Sequence, residues 1–272
     1  MGISFDGHTN TEWGTVMGSR SFFQHGTMEP TKGSLFNSFL HQISKAIYPN
    51  TCHNCHVETP EEDKGLCQNC RYKLKLILNP CKICGEELKD IGISESICGR
   101  CQTTPRYFDK VFAPFSYSDP LDKLIHEMKF SNKVSNCNLL AELLYEQIIL
   151  QRVVLPECLI PTPFNPEQYR KRGFNQSAEI AKRLGKLLNI PVKSNIITKI
   201  ENTERQAKLS YNLRQNNLKG AFILNSNVDY KHIAIIDDVV TTGATANEVS
   251  KIAKQDGVEH IQVWACARSI KL

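Results

Sequence analysis

Residues 232–249 read HIAIIDDVVTTGATANEV, and this stretch decides the fold. Four apolar residues lead into Asp237 and Asp238, two valines follow, and a run of threonine, glycine and alanine then opens a helical pattern. The β-branched apolar run predicts a buried strand. A small-residue turn between a strand and a helix places backbone N–H groups and the positive end of the helix dipole around an anion.

The turn Thr241–Thr245 is therefore a candidate cradle for a phosphate, with Gly243 permitting a tight bend. It contains neither the GK[ST] of a Walker loop nor a GxGxxG pattern. Two carboxylates directly before such a cradle would repel a phosphate unless they bind hydroxyl groups or a metal ion. A ribose 5-phosphate satisfies both ends of this pattern, because its vicinal hydroxyls suit the aspartates and its phosphate suits the turn. The alternative is a buried strand with two aspartates at its edge.

Strand and helix patterns alternate over the second half of the chain, which predicts an α/β fold with a mostly parallel sheet. We expect Asn175 or Ser177 to cap the third helix of this region. A polar, basic stretch at 200–219 follows that helix. The predicted elements are a strand in VFAPFSY (111–117), a capped helix in SDPLDKLIHEMKF (118–130), a helix in NLLAELLYEQIILQ (138–151), a short strand in ECLIPTP (157–163), a helix in FNQSAEIAKRLGKLLN (174–189) and a last strand in HIQVWACAR (260–268).

Eight of the 11 cysteines form four CxxC pairs, which is typical of metal sites rather than of a disulfide framework. Two CxxC turns complete a tetrahedron of thiolates around one zinc ion, so the module predicts two structural zinc sites. Pairing in sequence order gives one site from the first four cysteines and one from the last four; an interleaved pairing of first with third and second with fourth stays open. The predicted ligands are Cys52, Cys55, Cys67, Cys70, Cys81, Cys84, Cys98 and Cys101.

The other residues of this module have simpler interpretations. His53 and His56 are expected to be exposed, because complete four-cysteine sets leave no need for them as ligands. Zinc ribbons often contact nucleic acid or protein, but holding the module together is the favoured role for the zinc here. The basic candidates for such a contact are Arg71, Lys73, Lys75, Lys82, Lys89 and Arg100. The remaining thiols, Cys137, Cys158 and Cys266, are expected to be buried, and this cysteine usage favours a reducing, cytoplasmic location.

The start of the chain is polar and then amphipathic. Residues 1–33 show no period and are expected to be a disordered leader, and Met28 is a hypothetical alternative start. Residues 34–50 predict an amphipathic helix that packs on the zinc module or docks on a membrane or partner. The net charge of +5 permits an anionic partner without requiring one. We expect no transmembrane segment, because no apolar run reaches about eighteen residues.

The stretch IAIIDDVVTTGAT (233–245) resembles the signature that binds the ribose 5-phosphate part of phosphoribosyl pyrophosphate (PRPP) in type I phosphoribosyltransferases. Together with the paired cysteines, three further segments make the chain similar to the ComF/GntX family from about Phe39 to Arg268. These segments are PLDKLIHEMKF (120–130), YRKRGFNQSAEIAKRL (169–184) and RQAKLSYNLRQNNLKGAF (205–222). The resemblance implies a double zinc ribbon at 51–104, a type I phosphoribosyltransferase domain at 105–272, and a role in natural competence or in the use of DNA as a nutrient.

The resemblance also implies roles for single residues. Asp237 and Asp238 would bind the ribose hydroxyls and stabilise charge in the reaction, and Pro161, Thr162 and Pro163 occupy the place of the superfamily's pyrophosphate loop. Arg170, Lys171 and Arg172 would suit a pyrophosphate or form a solvated positive face, and Arg205, Gln206 and Arg214 lie where the superfamily has a mobile loop. The full predicted PRPP set is Asp237, Asp238, Val239, Val240, Thr241, Thr242, Gly243, Ala244, Thr245, Pro161, Thr162, Arg172, Arg205 and Lys129.

Three functional interpretations stay open. The first is a phosphoribosyltransferase that displaces pyrophosphate from PRPP with Mg²⁺ present, although no pocket for an acceptor is legible. The second is a module of DNA uptake that binds single-stranded DNA and keeps the site as a nucleotide or PRPP sensor. The third is a scaffold for DNA-uptake proteins. The intact signature favours the first two, because a scaffold has no use for carboxylates beside a phosphate cradle.

Overall fold

The computed structural model describes residues 50–88, 96–164, 169–170, 172–199 and 221–269. All of these belong to one compact unit, Pro49–Leu272. The predictions of a leader at 1–33, of an alternative start at Met28, of nearly all of the helix at 34–50 and of a mobile loop at 200–219 fall outside the described residues.

A parallel sheet organises the second half of the chain, which confirms the predicted mostly parallel α/β fold. Its strands are β1 (Lys110–Phe112), β2 (Phe115–Ser116), β3 (Cys158–Pro161), β6 (His232–Val240) and β7 (His260–Arg268). The order is β1-β7-β6-β3, and β2 also pairs with β7, directly beyond β1. Every one of these pairings is parallel, so the carboxyl ends of the strands lie at one edge of the sheet.

The long central strand β6 is apolar because both faces of the sheet are covered. Ala234 and Ile236 pack in a cluster with the three helices α3 (Leu121–Phe130), α4 (Ser135–Leu150) and α5 (Gln176–Leu188). Ile233 and Ile235 alternate with them and pack in a second cluster with α6 (Ala244–Gln255). Successive side chains of a strand point to opposite faces, so this uninterrupted apolar run is buried on both sides of the sheet.

The helices agree with the sequence expectations apart from one cap. Asn175 caps α5 as expected, because its side-chain Oδ1 accepts a hydrogen bond from Ala178 N at 3.3 Å. The predicted side-chain cap of α3 is wrong, since Pro120 occupies the N-cap position and has no side chain that can accept.

The prediction of a single strand in VFAPFSY is also wrong. Pro114 lies between β1 and β2, where its ring nitrogen cannot donate a hydrogen bond to a neighbouring strand.

Two short strands outside the main sheet were not expected from the sequence. Strand β4 (Ile197–Lys199) pairs antiparallel with β5 (Phe222–Leu224). Residues Ile197 and Phe222 are buried and pack in the cluster that contains α6. Lys199, which precedes the segment 200–220, therefore lies beside Phe222, which closely follows it, next to the core.

The cysteine-rich module packs directly on the α/β part of the chain. It contains a 3-10 helix (Glu61–Asp63) and the short helices α1 (Gln68–Tyr72) and α2 (Gly99–Thr103). Its first half contributes Cys52, Leu66 and Cys70 to the same cluster as α3 and α4. The segment between its halves runs beside β2, with Ile77 N donating to Pro114 O at 2.9 Å and Ser116 N to Lys75 O at 2.8 Å.

None of the helices in the described part of the chain is long and apolar enough to cross a membrane.

Candidate ribose-phosphate site and zinc centres

The two aspartates lie within the last four residues of β6, at the edge where the carboxyl ends of the strands meet. Asp238 is buried, at 8% exposure, and its Oδ1 lies 2.8 Å from Lys129 Nζ at the end of α3. Asp237 is half-buried, and its Oδ1 accepts hydrogen bonds from Asp238 N at 2.9 Å and from Ser177 Oγ at 3.3 Å. One carboxylate is thus paired with a cation, whereas its neighbour is held by two neutral donors.

The environment of Asp237 favours its neutral form. Burial raises the pKa of this carboxyl to about 7, and the charge of Asp238 acts in the same direction. The hydrogen bonds and Lys129 lower the pKa but do not compensate for burial. Hydroxyl donors or a divalent cation at this carboxylate would favour its ionised form, so the site is suited to a ligand that brings one of these.

A tight turn after β6 leads into α6. Gly243 is the N-cap residue of α6 and has φ +74°, in the left-handed region that glycine adopts without strain. Thr241 and Thr242 are exposed, and Thr242 Oγ1 accepts a hydrogen bond from Ala244 N at 3.3 Å. The first-turn N–H groups of a helix have no intrahelical acceptor, so this turn presents donors at the same edge as the aspartates.

The end of β3 adjoins the aspartates through Thr162. Its backbone N–H and its Oγ1 both donate to Ile236 O, at 2.8 and 2.9 Å, one residue before Asp237. Asn175, which caps α5, donates from Nδ2 to Thr162 O at 3.1 Å. The predicted pyrophosphate segment is therefore held against β6 on one side and against the start of α5 on the other.

Two of the predicted basic residues, Lys129 and Arg172, have defined contacts. The Arg172 guanidinium carbon is 5.3 Å from the ring centroid of Phe130 and 5.8 Å from that of Phe164. Lys129 contacts Asp238, and Phe130, the next residue of α3, contacts Arg172, so the end of α3 carries one residue in contact with each of these two side chains. Of the other residues that the resemblance assigns to the pyrophosphate or to the mobile loop, Arg170 belongs to the described part, whereas Lys171, Arg205, Gln206 and Arg214 lie outside it.

Sequence reasoning missed Arg268, the last residue of β7. Its side chain is buried, at 1% exposure, and it donates from Nη1 to Val240 O at 3.0 Å, to Ser269 O at 2.7 Å and to Thr241 O. Its Nε donates to Cys84 O at 2.9 Å. The one available signal was a charged residue ending a strand that is otherwise apolar at nearly every position. Its partners could not be read from the sequence.

The cysteines form the two groups expected from pairing in sequence order. The sulfur atoms within each group of four all lie within 4.8 Å of one another. Zinc–sulfur distances of about 2.3 Å place tetrahedral ligand atoms about 3.8 Å apart. The Sγ atoms of Cys55 and Cys67 are 3.7 Å apart, and those of Cys84 and Cys98 are 3.6 Å apart. Both groups therefore fit a zinc ion, and the interleaved pairing is excluded.

The thiols of each group also need a cation to ionise together. Burial raises the pKa of Cys52, but hydrogen bonds from backbone N–H groups outweigh it and lower the pKa to about 6. Burial raises the pKa of Cys70, in the same group, to about 12. In the second group Cys81 is lowered to a pKa of about 7 by backbone N–H groups acting against burial, whereas burial raises the pKa of Cys101. A zinc ion would bring all four thiols of each group into the thiolate form.

The histidines and basic residues of the module differ partly from expectation. His56 is exposed as expected, but His53 is half-buried and its Nδ1 lies 2.7 Å from Asn136 Oδ1. Arg71 lies 2.5 Å from Glu146 of α4, so it holds the first ribbon on the α/β part. Among the other nucleic-acid candidates, Lys73, Lys75, Lys82 and Arg100 are exposed, and Lys89 lies outside the described residues. The three remaining cysteines, Cys137, Cys158 and Cys266, are buried as expected.

Comparison with known proteins identifies the cysteine module and the family. Residues 43–102 match the double zinc ribbon domain. Over 225 residues the chain is 35% identical to Competence protein F of Haemophilus influenzae, covering 80% of this chain and 96% of that protein. The chain belongs to the ComF/GntX family. It is also 31% identical to DNA utilization protein YhgH of Escherichia coli strain K12 (82% of this chain, 98% of that protein) and 23% identical to Competence protein ComFC of Streptococcus pneumoniae (76% and 89%).

Solved phosphoribosyltransferases show a weaker likeness. A purine phosphoribosyltransferase from Pyrococcus horikoshii Ot3 is 17% identical with a TM-score of 0.28, over 48% of this chain and 84% of that chain. A hypoxanthine phosphoribosyltransferase from Trypanosoma cruzi is 16% identical with a TM-score of 0.29, over 51% of this chain and 64% of that chain. Likeness at this level has no bearing on what this ComF/GntX member binds, for which its own residues must supply the argument.

Proposed function

We propose that this chain binds the 5-phosphoribosyl group of PRPP, with Mg²⁺, at the carboxyl end of β6. The observation that carries the proposal is the placement of Asp237 and Asp238 at the end of a buried strand that turns directly into the N-terminus of α6. Carboxylates that accept hydrogen bonds and a helix N-terminus that donates them match the two ends of a ribose 5-phosphate.

Within this proposal each group has a separate task. Asp237, held by Ser177 and by the backbone, accepts hydrogen bonds from the ribose hydroxyls. Asp238 holds Lys129, whose ammonium lies at the same edge and adds positive charge for the pyrophosphate. Thr241–Thr245 bind the 5-phosphate through backbone N–H groups and hydroxyls, and Arg172 adds a guanidinium on the side of α3.

Mg²⁺, when bound with PRPP, would neutralise part of the pyrophosphate charge. If a nucleophile displaces pyrophosphate from C1, the carboxylates stabilise the positive charge that develops on the sugar. The Oδ1 atom of each aspartate contacts protein donors, which hold its carboxylate in one orientation. We therefore assign them to binding, orientation and charge stabilisation.

The biological role that we propose is the uptake or use of external DNA. It rests on family membership: relatives covered over nearly their full length are named Competence protein F and DNA utilization protein YhgH. The phosphoribosyl site would then handle nucleotide chemistry connected with that DNA. Single-stranded DNA or other DNA-uptake proteins as direct partners remain predictions from the resemblance.

The test is a thermal-shift series with the full, zinc-loaded chain. We expect PRPP with Mg²⁺ to raise the unfolding temperature most, ribose 5-phosphate less, and inorganic phosphate least, because each step removes contacts to one part of the site. The double variant Thr241→Val, Thr242→Val should reduce the shift for all three ligands. Pyrophosphate alone serves as the control ligand. If it raised the unfolding temperature as much as PRPP does, the site would bind anions without recognising the sugar, and the proposal would be refuted.

A further inference from the structure

Arg268 touches two parts of the molecule that the sequence keeps far apart. Its Nη1 donates to Val240 O and Thr241 O, where β6 ends and the turn begins. Its Nε donates to Cys84 O, 184 residues away in the sequence, within the second CxxC pair of the double ribbon. One buried side chain thus connects the second zinc group with the first residue of the turn.

The charge of Arg268 also faces the zinc group. Its Nη2 lies 3.8 Å from Glu86 Oε2, and that carboxylate oxygen lies 3.9 Å from Cys84 Sγ. A buried guanidinium needs compensating negative charge as well as acceptors. Four thiolates around a divalent zinc ion leave a net negative charge next to Glu86 and Arg268. The zinc-loaded second ribbon therefore supplies both an acceptor and charge compensation to Arg268.

The carbonyl that Arg268 contacts belongs to the turn that carries two zinc ligands, Cys81 and Cys84. Gly85 N donates to Cys81 O at 2.9 Å, and Val111 N of β1 donates to Ile83 O at 2.8 Å. Gly85 has φ +66°, and a Cβ there would meet Val111 O at 3.2 Å, so the turn fits tightly against β1. The Cys84 carbonyl is positioned by this turn, whose thiols are the zinc ligands.

We propose that Arg268 is a positioning residue through which zinc at the second ribbon orders the Thr241–Thr245 turn. With zinc bound, Arg268 is fixed on Cys84 O and holds the carbonyls of Val240 and Thr241. Without it, the ligand turn loosens, Arg268 loses its acceptor and its charge compensation, and the turn loses its support. The effect on the turn stands without the proposed function, whereas the resulting effect on PRPP affinity rests on it.

The test is amide hydrogen exchange of the full chain, followed in the turn and, as a reference, in α4. Cys98→Ser removes a ligand of the second group, and the matched Cys55→Ser removes a ligand of the first; metal analysis should show the loss of one zinc ion in each. We expect Cys98→Ser to speed exchange in the turn by about tenfold, the scale of one lost charge-assisted hydrogen bond. Cys55→Ser should instead speed exchange in α4, against which the first ribbon packs.

Arg268 itself is tested by Arg268→Met, which fills much of the volume without donors, and by Arg268→Lys, which keeps the charge. Arg268→Met should speed exchange in the turn by about tenfold and Arg268→Lys by less. Adding Cys98→Ser to Arg268→Met should change little more, because both act through one contact. If the double variant exchanged in the turn about tenfold faster again than Arg268→Met, the proposal would be overturned. An exchange rate that rises equally in α4 and in the turn of Cys98→Ser would also overturn it.

A calorimetric titration of PRPP with Mg²⁺ separates this inference from the proposed function. If wild type binds, Cys98→Ser should bind about tenfold more weakly. If wild type does not bind but the exchange pattern holds, the proposed function fails and the connection through Arg268 stands. If wild type binds and the exchange in the turn is unchanged by Cys98→Ser and Arg268→Met, the inference fails alone.

Discussion

Substituting Asp237 by asparagine should stabilise the folded protein while removing its ligand binding. The carboxyl pKa rises from 3.8 to about 7 on folding, chiefly through burial. That rise means that folding disfavours the ionised carboxylate by about 4 kcal/mol relative to the neutral carboxyl. Because the side chain is half-buried, screening by water reduces the effect, and we expect about 2 kcal/mol. The asparagine side chain keeps an Oδ1 that accepts from Ser177 and from Asp238 N, so no hydrogen bond has to be lost.

The stabilisation should depend on pH. Between about pH 4 and 7 the folded protein holds a proton on Asp237 that the unfolded chain has released, so wild-type stability contributed by this group falls as pH rises. The gain from Asp237→Asn should therefore be small near pH 4 and full by about pH 8. Urea unfolding of the zinc-loaded proteins at about pH 5 and about pH 8 measures this difference. A variant less stable than wild type at about pH 8 would refute the reasoning about burial.

Three further substitutions test other parts of the structure, and the first two have matched controls. Lys129→Met leaves buried Asp238 without its cation and should lower the free energy of unfolding by about 1–2 kcal/mol. Lys123→Met, which breaks the exposed pair with Asp119, should lower it much less. Chemical unfolding measures both, and equal losses would contradict the reasoning from the burial of the first pair. Gly243→Ala should lower the free energy of unfolding by about 1 kcal/mol, because alanine is strained at the positive φ of this position. No steric clash adds to this loss, since a Cβ would meet Phe108 at 3.5 Å, an ordinary contact distance. The variant should also bind PRPP more weakly. Gly257→Ala, at φ +95° with open space around it, should lose a similar amount and bind normally, and weak binding by both variants would show a general effect. In the first ribbon, Arg71→Met should loosen the contact with Glu146 and speed exchange in α4 without loss of zinc; an unchanged exchange rate would show that the ion pair does not hold the ribbon there.

The parts of the fold with a strong period could be predicted from the sequence. Strand β6 is apolar on both faces, and α5 has an Asn175 cap, so local residues alone defined both elements. The spacing of the cysteines also favoured the observed zinc pairing, although the interleaved pairing was excluded only by the structure. Strands β4 and β5 escaped prediction because each has three residues and pairs with a partner across a long polar segment. Short strands of this kind form through tertiary pairing rather than through local pattern.

The candidate site could be predicted only where its residues adjoin in sequence. Asp237, Asp238 and the turn after them form one continuous motif, and Lys129 was included through the family resemblance. Arg268 could not be predicted, because its contact with Cys84 O joins residues 184 positions apart and depends on how the second ribbon packs on the sheet. Ser177 was expected only as a cap; its contact with Asp237 follows from the packing of α5 on β6.

The proposed site is tested most directly by a calorimetric titration of PRPP with Mg²⁺ into the zinc-loaded wild type and into the double variant Asp237→Asn, Asp238→Asn. We expect saturable binding by wild type and affinity at least about tenfold weaker in the variant, since Asp237 bonds to the ribose hydroxyls and Asp238 holds Lys129 at the pyrophosphate. Circular dichroism should show that the variant is folded. Absence of binding by folded, zinc-replete wild type, or equal affinity in the variant, would contradict the central claim that these two aspartates form a phosphoribosyl site.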